Sequence, residues 1–391
     1  MASNTGSGYS DNSIDLSRLR HSTFEMGAIR PPSEGAADSL LIRVTRNCPW
    51  SKCTFCYGRF YRRRPFEIRP VDEVKADIDK IKAISDTVKA LSWQLGFNGN
   101  LEELGKTLPS LLLGEKDTRS LEDVEIRNTH CIINVFNWMT AGGKSVFLQD
   151  ADTLIMHTDQ LVEILKHLIA TFPNIERVTS YARSKTLVKK TPDELKELRS
   201  AGLSRLHIGI ESGDDDVLAY VNKGVDSEEH ILAGKKAAEA GFELSLYVMP
   251  GLGGRTMWEH HALNTARVLN EINPAFIRMR PVVPMHGTPL LEAYKAGEFD
   301  VTSPHERLRE IKLMIENLNV TSRVSFDQIT NTAIRSGENV ITLFRHDTEG
   351  YKFPDEKSMV LETIEEGLRL DEKALMDVSE WAGRHGVYSI L

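Results

Sequence analysis

The stretch "RNCPWSKCTFCYGRFYRRRPF", from Arg46 to Phe66, holds three of the chain's four cysteines, Cys48, Cys53 and Cys56, in a C-x4-C-x2-C spacing. Four cysteines in 391 residues do not make a disulfide framework, and thiols clustered this tightly point to metal. Three thiolates fit two metals. A four-coordinate zinc needs one more ligand, for which His130 and Cys131 are the candidates. A 4Fe–4S cluster usually gives each iron its own cysteine, so three local cysteines leave one iron open to a ligand from outside the protein. Three unligated buried thiols are the remaining alternative.

The residues around this loop set its place in the fold. It follows "LLIRVT" (Leu40 to Thr45), a β-like run, and precedes "VDEVKADIDKIKAI", which has helical spacing. In parallel α/β folds, the loop at a strand's C-terminal end is where active sites lie. The same rhythm repeats downstream. Strand-like runs "SVFLQ", "ERVTSY", "RLHIGI", "ELSLYVM" and "AFIRMR" begin at Ser145, Glu176, Arg205, Glu243 and Ala275, with helical patterns between them. One helix has clear start signals: Thr191 as cap, Pro192 in the first turn and Glu194 completing a capping box. Strand–helix units running in one direction require a parallel sheet, since each crossover needs a helix. Such a sheet closes partly into a barrel or stays open and doubly wound.

The domain plan has three parts. Residues 1–37, rich in Ser, Gly and Asn, are expected to be a disordered tail. Residues 38–300 form the α/β core, with a mostly helical insertion over about 86–140. Residues 301–391 are expected to be a mostly helical extension, opening with Ser303, Pro304 and Glu306 in another capping pattern and interrupted by the β-like "SRVSFD". A hydrophobic content of 41% is enough for a large core. The net charge of −8 argues against nucleic acid as a partner. No apolar run is long enough to span a bilayer, and the N-terminus lacks a signal-peptide pattern, so the expected location is cytoplasmic.

The three cysteines, Phe55 before the third and Tyr57-Gly58 after it resemble radical S-adenosylmethionine (SAM) enzymes. The first gap is one residue longer than the family's usual C-x3-C-x2-C. Further matches follow in the family's order at strand ends. Gln149, Asp150, Ala151 and Asp152 resemble the motif, often Gly-Gly-Glu, that holds the SAM amino group. This "QDAD" has carboxylates but no glycine pair, and is nearer the form in oxygen-independent coproporphyrinogen oxidase-like and Elongator-type relatives. Ser180 and Arg183, after the third strand, are candidates for SAM or substrate contact. Glu211, in "LHIGIESG", resembles the residue that accepts from the ribose hydroxyls. Lys223, twelve positions on, resembles the basic residue that pairs with the SAM carboxylate. Gly251 and Gly253, in "VMPGLGGRT", match a glycine segment beside the adenine, and Met279 to Pro281 would give it backbone contacts. Read alone, the QDAD segment is an exposed acidic turn, Lys223 a solvated cation and the glycine run a tight turn.

The resemblance implies a partial (β/α)6 TIM-like barrel, a 4Fe–4S cluster on Cys48, Cys53 and Cys56, and SAM chelated to the open iron. It also implies reductive cleavage of SAM to a 5′-deoxyadenosyl radical that abstracts hydrogen from a substrate, and a reductant such as flavodoxin or ferredoxin. Arg59, Arg62, Arg63 and Arg64 read either as a dock for an acidic electron donor or anionic substrate, or as an exposed basic loop. His260 and His261 sit on a helix about 100° apart, so at most one faces a pocket, and core or surface positions suit both. Cys131, alone in an apolar helix, reads as core, which argues against a second thiolate-bound cluster. Neither a cobalamin domain before the core nor an acetyltransferase-sized domain after it is expected. A zinc-stabilised α/β protein binding a small ligand is the alternative from a different class.

Overall fold

The computed structural model describes residues 19, 22–29, 38–58, 63–113, 122–328, 330–336 and 339–376. Six strands lie side by side in chain order: β1 (Leu40–Arg43), β2 (Ser145–Gln149), β3 (Arg177–Ala182), β4 (Leu203–Glu211), β5 (Glu243–Val248) and β6 (Phe276–Met279). All neighbours in this series are parallel. The sheet continues through β7 (Arg323–Ser325), parallel to β6, to β8 (Tyr351–Lys352), which is antiparallel at the edge. Among the described residues β1 and β8 end the sheet, so the barrel is open.

The helices that connect and cover these strands follow the sequence signals closely. Between β1 and β2 lie α1 (Val71–Gln94), α2 (Leu101–Leu113) and α3 (Asp123–Thr140). Then come α4 (Thr158–Thr171), α5 (Ser184–Lys189), α6 (Pro192–Ser200), α7 (Asp215–Tyr220), α8 (Ser227–Glu239) and α9 (Trp258–Ile272). The last three are α10 (Pro289–Ala296), α11 (Pro304–Glu316) and α12 (Lys357–Arg369). Thr191 with Glu194, and Ser303 with Glu306, form reciprocal capping boxes that satisfy backbone N–H groups at the starts of α6 and α11.

Strand alternation sorts the sheet's two faces. Leu206, Ile208 and Ile210 of β4 join the apolar core beneath the helices. The alternate positions turn into the barrel. There Phe147, Tyr181, His207 and Tyr247 form a run of ring contacts, with centroids 5.0 Å, 5.8 Å and 5.4 Å apart in turn. Arg278 and Arg280 share the Asp327 carboxylate at 3.4 and 2.5 Å.

Both ends of the core carry contacts that the sequence does not show. Residues 22–29 do not behave as a disordered tail. Phe24 is buried, Glu25 pairs with Arg43 and Arg46 at 3.0 and 2.6 Å, and Gly27 N donates to Gln149 Oε1 at 2.8 Å. Tertiary contacts order this segment, and they leave no periodic trace in the sequence. The C-terminal part carries α11 and α12, but "SRVSFD" supplies β7, and an antiparallel pair (Ala333–Ser336 with Asn339–Thr342) follows. The β-like run expected at "SRVSFD" is thus a strand, and it extends the barrel sheet. The tail and extension expectations at residues 1–18, 20–21, 30–37 and 377–391 lie outside the described residues.

Candidate active site

The cysteine loop starts where β1 ends. Asn47, Ser51 and Tyr57 take left-handed φ values of 68°, 49° and 50°, which non-glycine residues adopt only when their surroundings fix them. Several bonds do so. Asn47 N donates to Asp150 Oδ2 at 3.0 Å. Tyr57 N and Cys56 N both donate to Cys53 O, at 2.7 and 3.1 Å, closing the turn between the last two thiols. Thr54 N donates to Val221 O at 2.9 Å and Thr54 O accepts from Leu290 N at 3.1 Å, tying the loop to α7 and α10. Ser51 N points at Cys48 Sγ, 3.4 Å away.

The three thiols border a cavity of about 370 Å³ at the C-terminal ends of the strands. Its wall also includes Trp50, Phe55, Ala151, Arg183, Gly209, Glu211 and Lys223. Tyr181, Tyr247, Met249 and Arg280 line it as well. Burial pushes the Cys56 thiol up to about 12, with Cys53 adding to it, and burial also raises Cys53. A bound metal must therefore displace protons from these sulfurs.

Glu211 reaches the cavity through a break in the ladder. β4 and β5 shift register between Gly209 and Glu211, and Glu211 has φ 64°. Such bulges re-aim a side chain. A Cβ at Gly209 would stand 2.1 Å from Glu211 Oε1, so the glycine makes room for the carboxylate. Lys223 Nζ donates to Glu211 Oε1 at 2.9 Å, both side chains being 12% exposed. Burial alone would lower the Lys223 ammonium's pKa, but Glu211 and Cys53 outweigh it and the net shift is upward. Arg183 lies over the Trp50 ring, 5.3 Å from its centroid, and its Nη2 donates to Lys223 O at 3.1 Å.

Several expected contacts face elsewhere. Of the QDAD segment only Ala151 lines the cavity. Gln149 is bonded to Gly27, tethering the N-terminal segment. Asp150 is fully buried against Arg43, 2.6 Å from its Nη2, because a buried carboxylate needs a charged partner. Asp152 accepts from Arg183 N at 3.2 Å and Thr186 Oγ1 at 2.5 Å, at the start of α5, and burial raises its carboxyl to about 6. Ser180 is buried, donating to Tyr181 O at 3.0 Å. Gly251, Gly253 and Met279 are buried and do not line the cavity. His261 is core and His260 is exposed; neither borders the cavity. Arg63 lies against the Tyr57 ring and donates to Gly287 O, while Arg59 and Arg62 lie outside the described residues.

The donor set suits an iron–sulfur cluster. Its three thiols share one loop and one cavity, with an ammonium and a guanidinium close by. A single zinc needs ligand atoms about 2.0–2.3 Å from one point. Among the described residues no three His, Cys, Asp or Glu side chains are grouped that way. His130 and Cys131 border a separate cavity of about 600 Å³, between residues 23–27, α1 and α3. The Cys131 thiol donates to Phe24 O at 3.3 Å.

This constellation, three cysteines in one loop with polar groups from the next strand ends around it, matches a known class. The chain belongs to the radical SAM superfamily, whose family model matches residues 42–266. It is a radical SAM enzyme, and membership implies a 4Fe–4S cluster and SAM cleavage. The tRNA uridine(34) acetyltransferase of Methanocaldococcus infernus is 26% identical over 148 residues, 37% of this chain and 28% of that protein. The heme chaperone HemW of Bacillus subtilis is 26% identical over 129 residues, 32% of this chain and 34% of that protein. The chain thus spans no more than 34% of either relative's length. Among solved structures, an archaeal Elp3 from Methanocaldococcus infernus aligns with a TM-score of 0.41 and 16% identity, over 57% of this chain and 55% of that one. Among the described residues, no helix is long and apolar enough to cross a membrane.

The sequence reading did not single out Tyr181, Tyr247 or Met249, although Tyr181 shares the strand parity of Thr179 and Tyr247 that of Ser245. Arg280 falls within the span Met279 to Pro281 expected beside the adenine, and it lines the cavity.

Proposed function

We propose that this chain binds a 4Fe–4S cluster through Cys48, Cys53 and Cys56 and cleaves SAM to abstract hydrogen from an organic substrate held in the barrel. The observation that carries the reading is convergence. The three cysteines, Ala151, Arg183, Glu211 and Lys223 come from four successive strand ends and line one cavity. When bound, the cluster and SAM supply reductive cleavage of the sulfonium and a 5′-deoxyadenosyl radical.

The chain's own groups do the rest. Lys223 and Arg183 present positive charge to the methionine carboxylate. Glu211 accepts from the ribose hydroxyls, keeping its other interaction with Lys223. Trp50 and Phe55 border the thiols and exclude water, which tunes a cluster's potential. Tyr181, Tyr247 and Arg280 line the same cavity and face the substrate. A flavodoxin- or ferredoxin-like protein supplies the electron.

The test is anaerobic reconstitution with iron and sulfide, followed by SAM and dithionite. The expected result is a brown protein that forms methionine and 5′-deoxyadenosine. A colourless protein that retains zinc and leaves SAM intact overturns the reading. Adding cell extract and following mass changes then identifies the substrate.

A further inference from the structure

We propose that the buried His261–Glu310 pair is a positioning device for the SAM-binding edge of the cavity, operated from a helix of the C-terminal segment. The inference rests on the reading that Glu211 contacts SAM.

Glu310 lies on α11 and His261 on α9, and both side chains are fully buried. The Glu310 carboxylate accepts from Gly251 N through both oxygens, at 3.0 and 2.9 Å. Its Oε1 also lies 2.7 Å from His261 Nδ1. On the other side of the ring, His261 Nε2 lies 3.4 Å from Glu211 O. A carbonyl oxygen only accepts, so a bond to Glu211 O requires the hydrogen on Nε2. One chain of bonds therefore runs from α11 through α9 to the residue whose carboxylate faces the cavity.

Both ends of that chain need holding. Glu211 and Gly251 take left-handed φ values of 64° and 84°. Glu211 has a side chain and adopts this conformation only where its surroundings fix it. The two residues stand at consecutive strand ends, β4 and β5, and the pair ties them together. Glu211 O also accepts from Met249 N at 2.9 Å, so the carbonyl is fixed from both sides. A buried ionic pair is weak evidence for stability by itself, since apolar packing often serves as well; fixing one geometry is its better-attested use. Glu310 lies 59 residues from Gly251, so the segment beyond residue 300 helps set the site.

The experiment compares Glu310→Ala, His261→Gln and Glu310→Gln with the parent, measuring SAM affinity by equilibrium dialysis on reconstituted protein. Glu310→Ala and His261→Gln should bind SAM roughly tenfold or more weakly, because each breaks a buried charged link. Iron content and the absorption spectrum without SAM should stay unchanged. Glu310→Gln keeps the shape and one acceptor for Gly251 but replaces the other oxygen with an N–H donor, so it should lose less affinity than Glu310→Ala and keep the SAM-induced change in the reduced cluster's paramagnetic resonance signal. If Glu310→Ala does not fold, His261→Gln against Glu310→Gln carries the same test. Variants that bind SAM as tightly as the parent, whatever their melting temperatures, overturn the proposal. A parent that holds its cluster and binds no SAM overturns the reading of the cavity, and this inference with it.

Discussion

Acidic residues reach the barrel mouth at two places, after β2 and at the end of β4, and they face opposite ways. Asp150 and Asp152 turn into the protein. One is matched to Arg43 and the head of the cysteine loop, the other to the start of α5. Glu211 turns into the cavity, carried there by the bulge and given space by Gly209. All three are buried carboxylates, so charge and burial do not tell them apart. What does is the neighbourhood each finds. A carboxylate that meets a guanidinium or a pair of hydrogen-bond donors on its own side of the sheet becomes a brace. One that meets a single lysine at the edge of a cavity borders the space where a ligand would sit.

The contrast yields predictions of decreasing size. On the cavity side, Cys56→Ala should abolish both cluster iron and SAM cleavage, because a cluster held by three thiolates cannot spare one. Iron analysis after anaerobic reconstitution reads this directly. On the bracing side, Asp150→Ala should cost about 1–3 kcal/mol of stability, since Asn47 N–H loses its acceptor while Arg43 keeps Glu25. Anaerobic chemical unfolding measures it.

Asp152 adds a pH signature. Its folded carboxyl, raised to about 6 by burial, lies above the value near 3.9 of an unfolded aspartate. The folded state therefore holds the extra proton between about pH 4 and pH 6, and stability falls as pH rises through that window. Asp152→Asn should lack this fall, a difference of about 2–3 kcal/mol between pH 4 and pH 7. Unfolding curves at both pH values show whether the slope disappears. The smallest effect belongs to Cys131→Ala: about 1–2 kcal/mol of stability and no change in iron, as for a small buried hydrophobe. Loss of metal from that variant would reopen the zinc reading.

Much of this was written locally in the sequence. Period-two strands and capping boxes such as Thr191 with Glu194 depend on neighbours a few positions away, and they fell where expected. The cysteine loop was legible because three thiols so close together have few other uses. In the QDAD segment, residue type does not say which way a side chain turns; Asp150 is claimed by Arg43, 107 positions away. The tyrosine wall was hidden for another reason. Tyr181 and Tyr247 sit in strands read as apolar runs, and only the register with His207 and Phe147 places them inside the barrel. Residues 22–29 have no pattern of their own and are ordered by Gln149, Arg43 and Arg46.

In the proposed function, the cavity beside the three cysteines holds SAM, and Glu211 and Lys223 touch it. The most direct measurement is the SAM dissociation constant of Glu211→Gln set against Asp152→Asn, by equilibrium dialysis on fully reconstituted protein. Glu211→Gln keeps the shape and removes the charge, so affinity should fall roughly ten- to a hundredfold with iron content unchanged. Asp152→Asn, altering a carboxylate bonded within the protein, should bind SAM like the parent. Equal, parent-like affinity in both variants, or a loss confined to Asp152→Asn, would contradict the claim.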